Sequence, residues 1–198
     1  VLPLVFLLAL CGLGLSACNT SKNNGASPAI EKDASGKVLK VLRRDNGAEP
    51  ATLDPHKAQG LTESNILGEI FEGLMNIKNG KPVPGAAESY TVSPDGKTYT
   101  FTLRPQAKWS NGDPVTAEDF AYSLRRALDP ATGSPYSALL FPILNAEAVL
   151  GKKMPMSALG VRTINAKTLE ITLTNPAPFF LGILTHDTSS PVHRATVE

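Results

Sequence analysis

A chain of 198 residues with 19 Lys and Arg against 18 Asp and Glu carries a formal charge of only +1, and the charges are scattered along it. With no basic run and no interleaving of aromatic and basic residues, it lacks the footprint of a nucleic-acid partner. At 42% hydrophobic residues it is rich enough to bury a core, and roughly 160 residues remain once an apolar leader and a polar stretch are set aside, the size of one domain.

Val1 to Leu15 is almost wholly apolar and uncharged, and Leu15-Ser16-Ala17-Cys18 closes it. A membrane span needs ~20 apolar residues, so this shorter run ending in small residues reads as a secretory signal. Cys immediately after Ser-Ala is similar to a bacterial lipoprotein cleavage site, which would leave Cys18 to carry lipid; the plainer alternative is an ordinary signal peptide with an incidental Cys. No initiator Met or basic stretch precedes the apolar run, so the chain is expected to begin inside its own signal peptide, residues 1–17. Cys11 would then be removed and Cys18 lipidated, leaving the mature domain without a disulfide. Asn19 to Gly36 is rich in Ser, Asn, Gly, Lys and Ala and has too few apolar residues to fold. As a flexible tether from the lipidated Cys18 it would span ~21–25 Å. One acyl chain anchors weakly and two or more anchor stably.

Lys37 to Arg44 is a strand candidate, followed by a loop that contains Gln59-Gly60-Leu61. Thr62 to Met75 has helical spacing, with Ile66, Leu67, Ile70, Phe71 and Leu74 on one face. Ser93-Pro94-Asp95-Gly96 predicts a turn into a strand, Thr98 to Leu103, in which Tyr99, Phe101 and Leu103 alternate with threonines. Asn111-Gly112-Asp113-Pro114 predicts a second turn. Thr116 then fits a helix N-cap with Asp119 at the third helical position, opening a helix to Leu128 with Phe120, Leu124, Ala127 and Leu128 inward. Ser134-Pro135 reads as an N-cap and first helical residue of a short helix that Pro142 interrupts. Val161 to Ile164 and Thr168 to Thr174 predict a hairpin around Asn165-Ala166-Lys167, and Pro178 to Leu184 a short apolar helix. The order is mixed α and β, with no internal repeat.

Chemistry-bearing motifs are sparse. Asp95-Gly96-Lys97-Thr98 contains the Gly-Lys-Thr of a phosphate loop, but the position five residues before Gly96 is Thr91, and the segment leads into a strand. His56, His186 and His193, the three histidines, lack metal-pair spacing, so no metal and no cofactor is expected. Asp54 and His56 flank Pro55 without a nucleophile, and no Gly-x-Ser-x-Gly elbow exists. The lone Trp109 reads as closing a core edge rather than stacking on a ligand.

The string from Thr98 to Phe120, and with it Leu53-Asp54-Pro55-His56-Lys57, Phe71-Glu72-Gly73-Leu74, Pro84-Gly85-Ala86, Ser134-Pro135-Tyr136, Gly151-Lys152-Lys153, Leu159-Gly160-Val161 and Pro178-Phe179-Phe180, resembles in order and spacing the solute-binding proteins of peptide ABC transporters (bacterial extracellular solute-binding family 5), above all their oligopeptide-binding branch. The resemblance covers about Lys37 to the C-terminus. It implies an α/β fold of the periplasmic-binding-protein type II, here incomplete: residues 37–71 as the first segment of lobe I, 72–195 as the smaller inserted domain, and 196–198 returning to lobe I. The rest of lobe I and the other lobe are missing, and with them the acidic and basic residues expected to hold a peptide's termini. The chain alone is therefore expected not to bind peptide.

The same resemblance implies the site. Gln59-Gly60-Leu61 aligns with the segment that pairs with the bound peptide's main chain. A glycine there lets another backbone approach closely, and backbone pairing holds a peptide without reading its sequence. Tyr136 aligns with an aromatic lining a side-chain pocket, and His186 with a histidine facing the cleft. Local packing of Tyr136 and an ordinary surface role for His186 stay open. The implied function is capture of short oligopeptides in the cell envelope, on the periplasmic side or the outer surface, by a lipid-anchored monomer. It would deliver them to the permease and ATPase subunits of an importer, without covalent chemistry. The alternatives are a receptor for dipeptides, cell-wall peptides or another small solute, and a surface lipoprotein for signalling or adhesion.

Overall fold

The structure, a computed structural model, describes residues 32–41 and 43–198. The leader, Cys18 and most of the tether lie outside the described residues. Residues up to Arg44 group as one unit and Asp45–Glu198 as another. In the first, Lys32 and Val38 form an isolated antiparallel bridge. It closes a turn in which the Asp33 carboxylate accepts the backbone N–H of Ser35 and Lys37 at 2.9 and 3.1 Å. The strand expected over Lys37–Arg44 is not formed among the described residues. Strands exist by their ladders, and both sheets draw their strands from further along the chain, between Met75 and Thr172.

The second unit opens with helix α1, Leu61–Ile70. It ends well short of the expected Met75, because Phe71 is already extended (φ −111°, ψ 148°). Gly73 then passes so close to the Leu184 carbonyl that a Cβ on it would stand 3.0 Å away. Leu74 and Met75 are fully buried, but as the entry to strand β1, Met75–Lys78, not as a helix face. β1 turns through Asn79 and Gly80, both at positive φ (53° and 72°), into β2, Lys81–Pro84. That is the two-residue Asn-Gly hairpin whose twist suits paired strands.

β3 (Ala87–Val92), β4 (Thr98–Leu103), β5 (Val161–Asn165) and β6 (Thr168–Thr172) form an antiparallel sheet in the order β3-β4-β6-β5. Tyr99 faces Ile171 and Phe101 faces Leu169 across β4 and β6. All four are buried while the intervening threonines are not, as the alternation predicts. Helix α2, Ala117–Ala127, covers that face. It begins where expected: Thr116 Oγ1 accepts the Asp119 N–H, and the Asp119 carboxylate accepts the Thr116 N–H at 2.7 Å. Phe120, Ala121, Leu124, Ala127 and Leu128 then meet Phe101, Leu169 and Phe180 in one core. Each such large apolar side chain stabilises the fold by roughly 1.5–3 kcal/mol.

Ser134 does not cap a helix. Its hydroxyl has no hydrogen-bond partner among the described residues; the helical piece is a 3-10 turn over Ser137–Leu140 that starts from Tyr136. With Pro142 close behind, the segment has room for one tight turn and no α-helix. Helices α3 (Ala146–Leu150), α4 (Phe180–Ile183) and α5 (Arg194–Val197) are short, and further 3-10 turns cover Met156–Ala158 and Asp187–Ser189. No helix among the described residues is long and apolar enough to cross a membrane.

Candidate functional site

Leu53 to Leu61 forms a tight turn and then an extended run. The Asp54 carbonyl accepts the N–H of both Lys57 and Ala58 at 3.0 Å, and the Asp54 carboxylate accepts the His56 N–H at 3.0 Å. The chain leaves this turn through Gln59 into Gly60, which is extended (φ −116°, ψ 168°) and is the N-cap of α1. Glu63, three residues on and buried, fills the place a capping side chain would take. Its carboxylate accepts the Ala51 N–H and the Thr62 hydroxyl at 2.8 Å each, and these bonds, the Ala51 N–H above all, hold it below the usual carboxylate range. A Cβ on Gly60 would collide with that carboxylate. The glycine thus leaves room for that carboxylate, which a larger residue would displace, and its backbone angles make no demand for glycine.

Leu61 is 83% exposed. Its N–H and that of Gln59 have no hydrogen-bond partner among the described residues. The carbonyls nearby are engaged: Gly60 accepts the Ser64 N–H at 3.1 Å, and Gln59 accepts the Tyr136 hydroxyl at 3.2 Å. The Tyr136 ring then meets the His186 ring edge to face, centroids 5.0 Å apart at 63°. His186 Nδ1 accepts the Thr188 N–H at 3.2 Å, which fixes Nε2 as the protonated nitrogen. The next residue, Asp187, accepts the Ser64 hydroxyl at 2.6 Å. The structure thus brings Gln59, Gly60, Leu61, Tyr136 and His186 into one cluster, although they come from three distant segments; Cys18 lies outside the described residues.

Sequence reasoning missed Glu63, Ser64 and Asp187. Glu63 had a signal, since Glu at the third helical position behind an N-cap is half of a capping box. Ser64 and Asp187 are 123 residues apart, and no local pattern pairs them. Trp109 is half-buried against the core, with its ring centroid 5.5 Å from that of His193 in an edge-to-face arrangement. It lines a groove of about 980 Å³ with Leu53, Phe71, Val192 and Val197, and that groove's lining includes none of Gly60, Tyr136 and His186.

His56 is fully buried. Its Nε2–H donates to the Ser190 carbonyl at 3.1 Å and its Nδ1 accepts from Arg126 Nη1 at 2.8 Å. Burial pushes its imidazole down to about 4, so it is neutral. Burial alone would raise the Asp54 carboxyl, but hydrogen bonds from the Arg126 guanidinium and the His56 N–H bring it below its ordinary value. Among the described residues no group of three His, Cys, Asp or Glu stands close enough to hold a metal ion.

Residues 81–198 match the family profile described as "Bacterial extracellular solute-binding proteins, family 5 Middle". The chain is 47% identical over 161 residues to the periplasmic oligopeptide-binding protein OppA of Escherichia coli (strain K12), covering 80% of this chain and 30% of that protein. It is 38% identical over 196 residues to the oligopeptide-binding protein OppA of Bacillus subtilis (strain 168), covering 98% and 35%. In structure it is similar to Haemophilus influenzae OppA in complex with RPPGFSPFR, with a TM-score of 0.74 and 44% identity over 77% of this chain and 30% of that one. The chain therefore spans about a third of the length of these relatives, and its mixed α and β elements are part of their substrate-binding protein fold. On the profile match and these identities together, the chain belongs to the bacterial extracellular solute-binding proteins, family 5.

Proposed function

We propose that this chain contributes to the substrate-binding component of an ABC importer that captures short oligopeptides in the cell envelope. Residues 37–71 would belong to lobe I, 72–195 to the smaller inserted domain and 196–198 to the return. The observation that carries the reading is the extended Gly60 main chain. Its flanking N–H groups are unpartnered among the described residues, the Tyr136 hydroxyl holds the neighbouring Gln59 carbonyl, and His186 packs on the Tyr136 ring. An extended peptide could accept hydrogen bonds from Gln59 and Leu61 as an added strand, with Tyr136 and His186 bordering its side chains. Export and anchoring through Cys18 would keep the receptor at the membrane beside a permease and ATPase. The receptor would act as a monomer and perform no covalent chemistry.

The test is isothermal titration of the full chain encoded by its gene with trialanine and tetraalanine. Micromolar or tighter binding is expected, and Gly60→Ala, which forces the Glu63 carboxylate from its place, should weaken it about tenfold. The 198-residue chain alone should give no binding heat. Relatives include the periplasmic murein peptide-binding protein MppA and a dipeptide-binding protein DppE. Binding of dipeptides or murein peptides in preference to tri- and tetraalanine would overturn the oligopeptide assignment in favour of one of those ligands.

A further inference from the structure

We propose that Arg126 is a positioning residue for the peptide-binding cluster, setting where Gly60 and His186 stand relative to each other; this rests on the peptide-binding reading above. Arg126 projects from α2 and is 15% exposed. Its Nη1–H donates to Asp54 Oδ1 at 2.9 Å and its Nη2–H to Asp54 Oδ2 at 2.6 Å. That is the two-pronged fork only a guanidinium offers a carboxylate. The same Nη1 reaches His56 Nδ1, and the far side of that ring holds the Ser190 carbonyl.

The consequence follows from what each partner carries. Asp54 closes the turn through Lys57 and Ala58, so its place fixes where the chain emerges at Gln59 and Gly60. Ser190 ends the turn Asp187–Ser189, which begins at His186. One helix side chain therefore grips both walls of the cluster, the first directly and the second through His56. A neighbouring contact supports the second wall: Ser123, also on α2, accepts the Val192 N–H at 2.8 Å. A buried ion pair is weak as a source of net stability, because desolvation offsets much of the attraction. What Arg126 supplies is direction: it aligns residues 70 and more apart in sequence that share no sheet or helix.

The experiment compares Arg126→Met, which removes charge and fork, with Arg126→Lys, which keeps the charge alone, in the full chain encoded by its gene. Measurements are made at a temperature where circular dichroism shows both variants folded. The trialanine Kd should rise about tenfold in Arg126→Met and about threefold in Arg126→Lys. Amide exchange should quicken at Ala58 and Ser64, whose N–H groups hold the Asp54 and Gly60 carbonyls, and stay unchanged at Phe101 in the sheet. An unchanged Kd in folded Arg126→Met, or exchange quickened equally at Ser64 and Phe101, would overturn the proposal. If Arg126→Met fails to fold, Asp54→Asn, which halves the fork, takes its place with the same readouts. Should the unsubstituted protein bind no peptide, the functional reading falls, while the contrast between Ser64 and Phe101 still decides whether Arg126 positions this segment.

Discussion

The sheet with α2 upon it and the cluster around Gly60 are held by different forces. In the first, Phe101, Leu169, Ile171, Phe120 and Leu124 are all within 1% of full burial, and strands paired by register hold them in place. In the second, the joining contacts are polar and span long stretches of chain: Tyr136 to Gln59 over 77 residues, Ser64 to Asp187 over 123, His56 to Ser190 over 134. Burial is non-directional and large in sum, while each hydrogen bond is directional and worth only about 0.5–1.5 kcal/mol net. The body can therefore keep its shape while the cluster shifts, which would suit the peptide-binding role proposed for the cluster.

The sharpest way to break that contrast is through the body. Phe120 lies between α2 and the sheet with no exposure. Phe120→Ala should cost about 3–5 kcal/mol, from lost transfer free energy and the cavity left behind, a large share of the ~5–15 kcal/mol of a typical domain. Urea unfolding followed by circular dichroism measures it. A loss below about 1 kcal/mol would mean that the helix and sheet do not depend on their shared core, and the contrast would collapse.

Acid should strike the cluster before it strikes the body. His56 is held neutral to about pH 4, chiefly by burial; the Ser190 carbonyl opposes the shift, the Arg126 charge adds to it, and the Asp54 carboxylate opposes it more weakly. In the unfolded chain the imidazole takes its proton near pH 6.5. Below that pH the unfolded state binds a proton that the folded state refuses, so stability is whole above pH 6.5 and falls as pH drops toward 4. Between pH 7 and pH 5 the loss should be about 2 kcal/mol. His56→Gln, which cannot titrate, should flatten that part of the profile whatever its own stability. Parallel slopes in the two proteins would show that His56 is not the group responsible.

The two regions also differ in how far the sequence betrays them. The alternation of Tyr99, Phe101 and Leu103, and the Thr116 and Asp119 offset, are local devices, and the structure places β4, α2 and their capping box where those devices point. The same reading took Phe71 and Leu74 as a continuation of α1. There a helical spacing ran on across Gly73, and burial of Leu74 and Met75 at the start of a hairpin decided otherwise. The Asn79-Gly80 hairpin was available from two letters and went unread. Ser134-Pro135 had the letters of a cap, but the space before Pro142 allowed only a 3-10 turn. At Gly160, within a motif that carried the resemblance, a Cβ would stand 2.6 Å from the Thr172 carbonyl and 2.7 Å from Leu144 Cβ. That is a close approach of three segments, which a sequence does not state. The cluster was reached only through family likeness, because hydrogen bonds across 77 to 134 residues leave no periodic trace.

The smallest effect on stability should come from Tyr136, and it is the most telling for the cluster. Tyr136→Phe removes one hydrogen bond, from the phenol to the Gln59 carbonyl at 3.2 Å, at a side chain that is 37% exposed. The ring stays to face His186, and water can satisfy the freed carbonyl, so unfolding free energy should change by less than about 0.5 kcal/mol. Binding is a different matter. The Gln59 carbonyl lies between the Asp54 turn and Gly60, and the phenol is its side-chain partner from across the cluster. Once released, the Gly60 segment samples more conformations, and a peptide must select the competent one, raising the apparent Kd by the inverse of its population. Titration of the full chain with trialanine should show affinity weakened about threefold beside an unchanged urea midpoint. Equal losses in both would make Tyr136 part of the body's packing, and an unchanged affinity would remove it from the site.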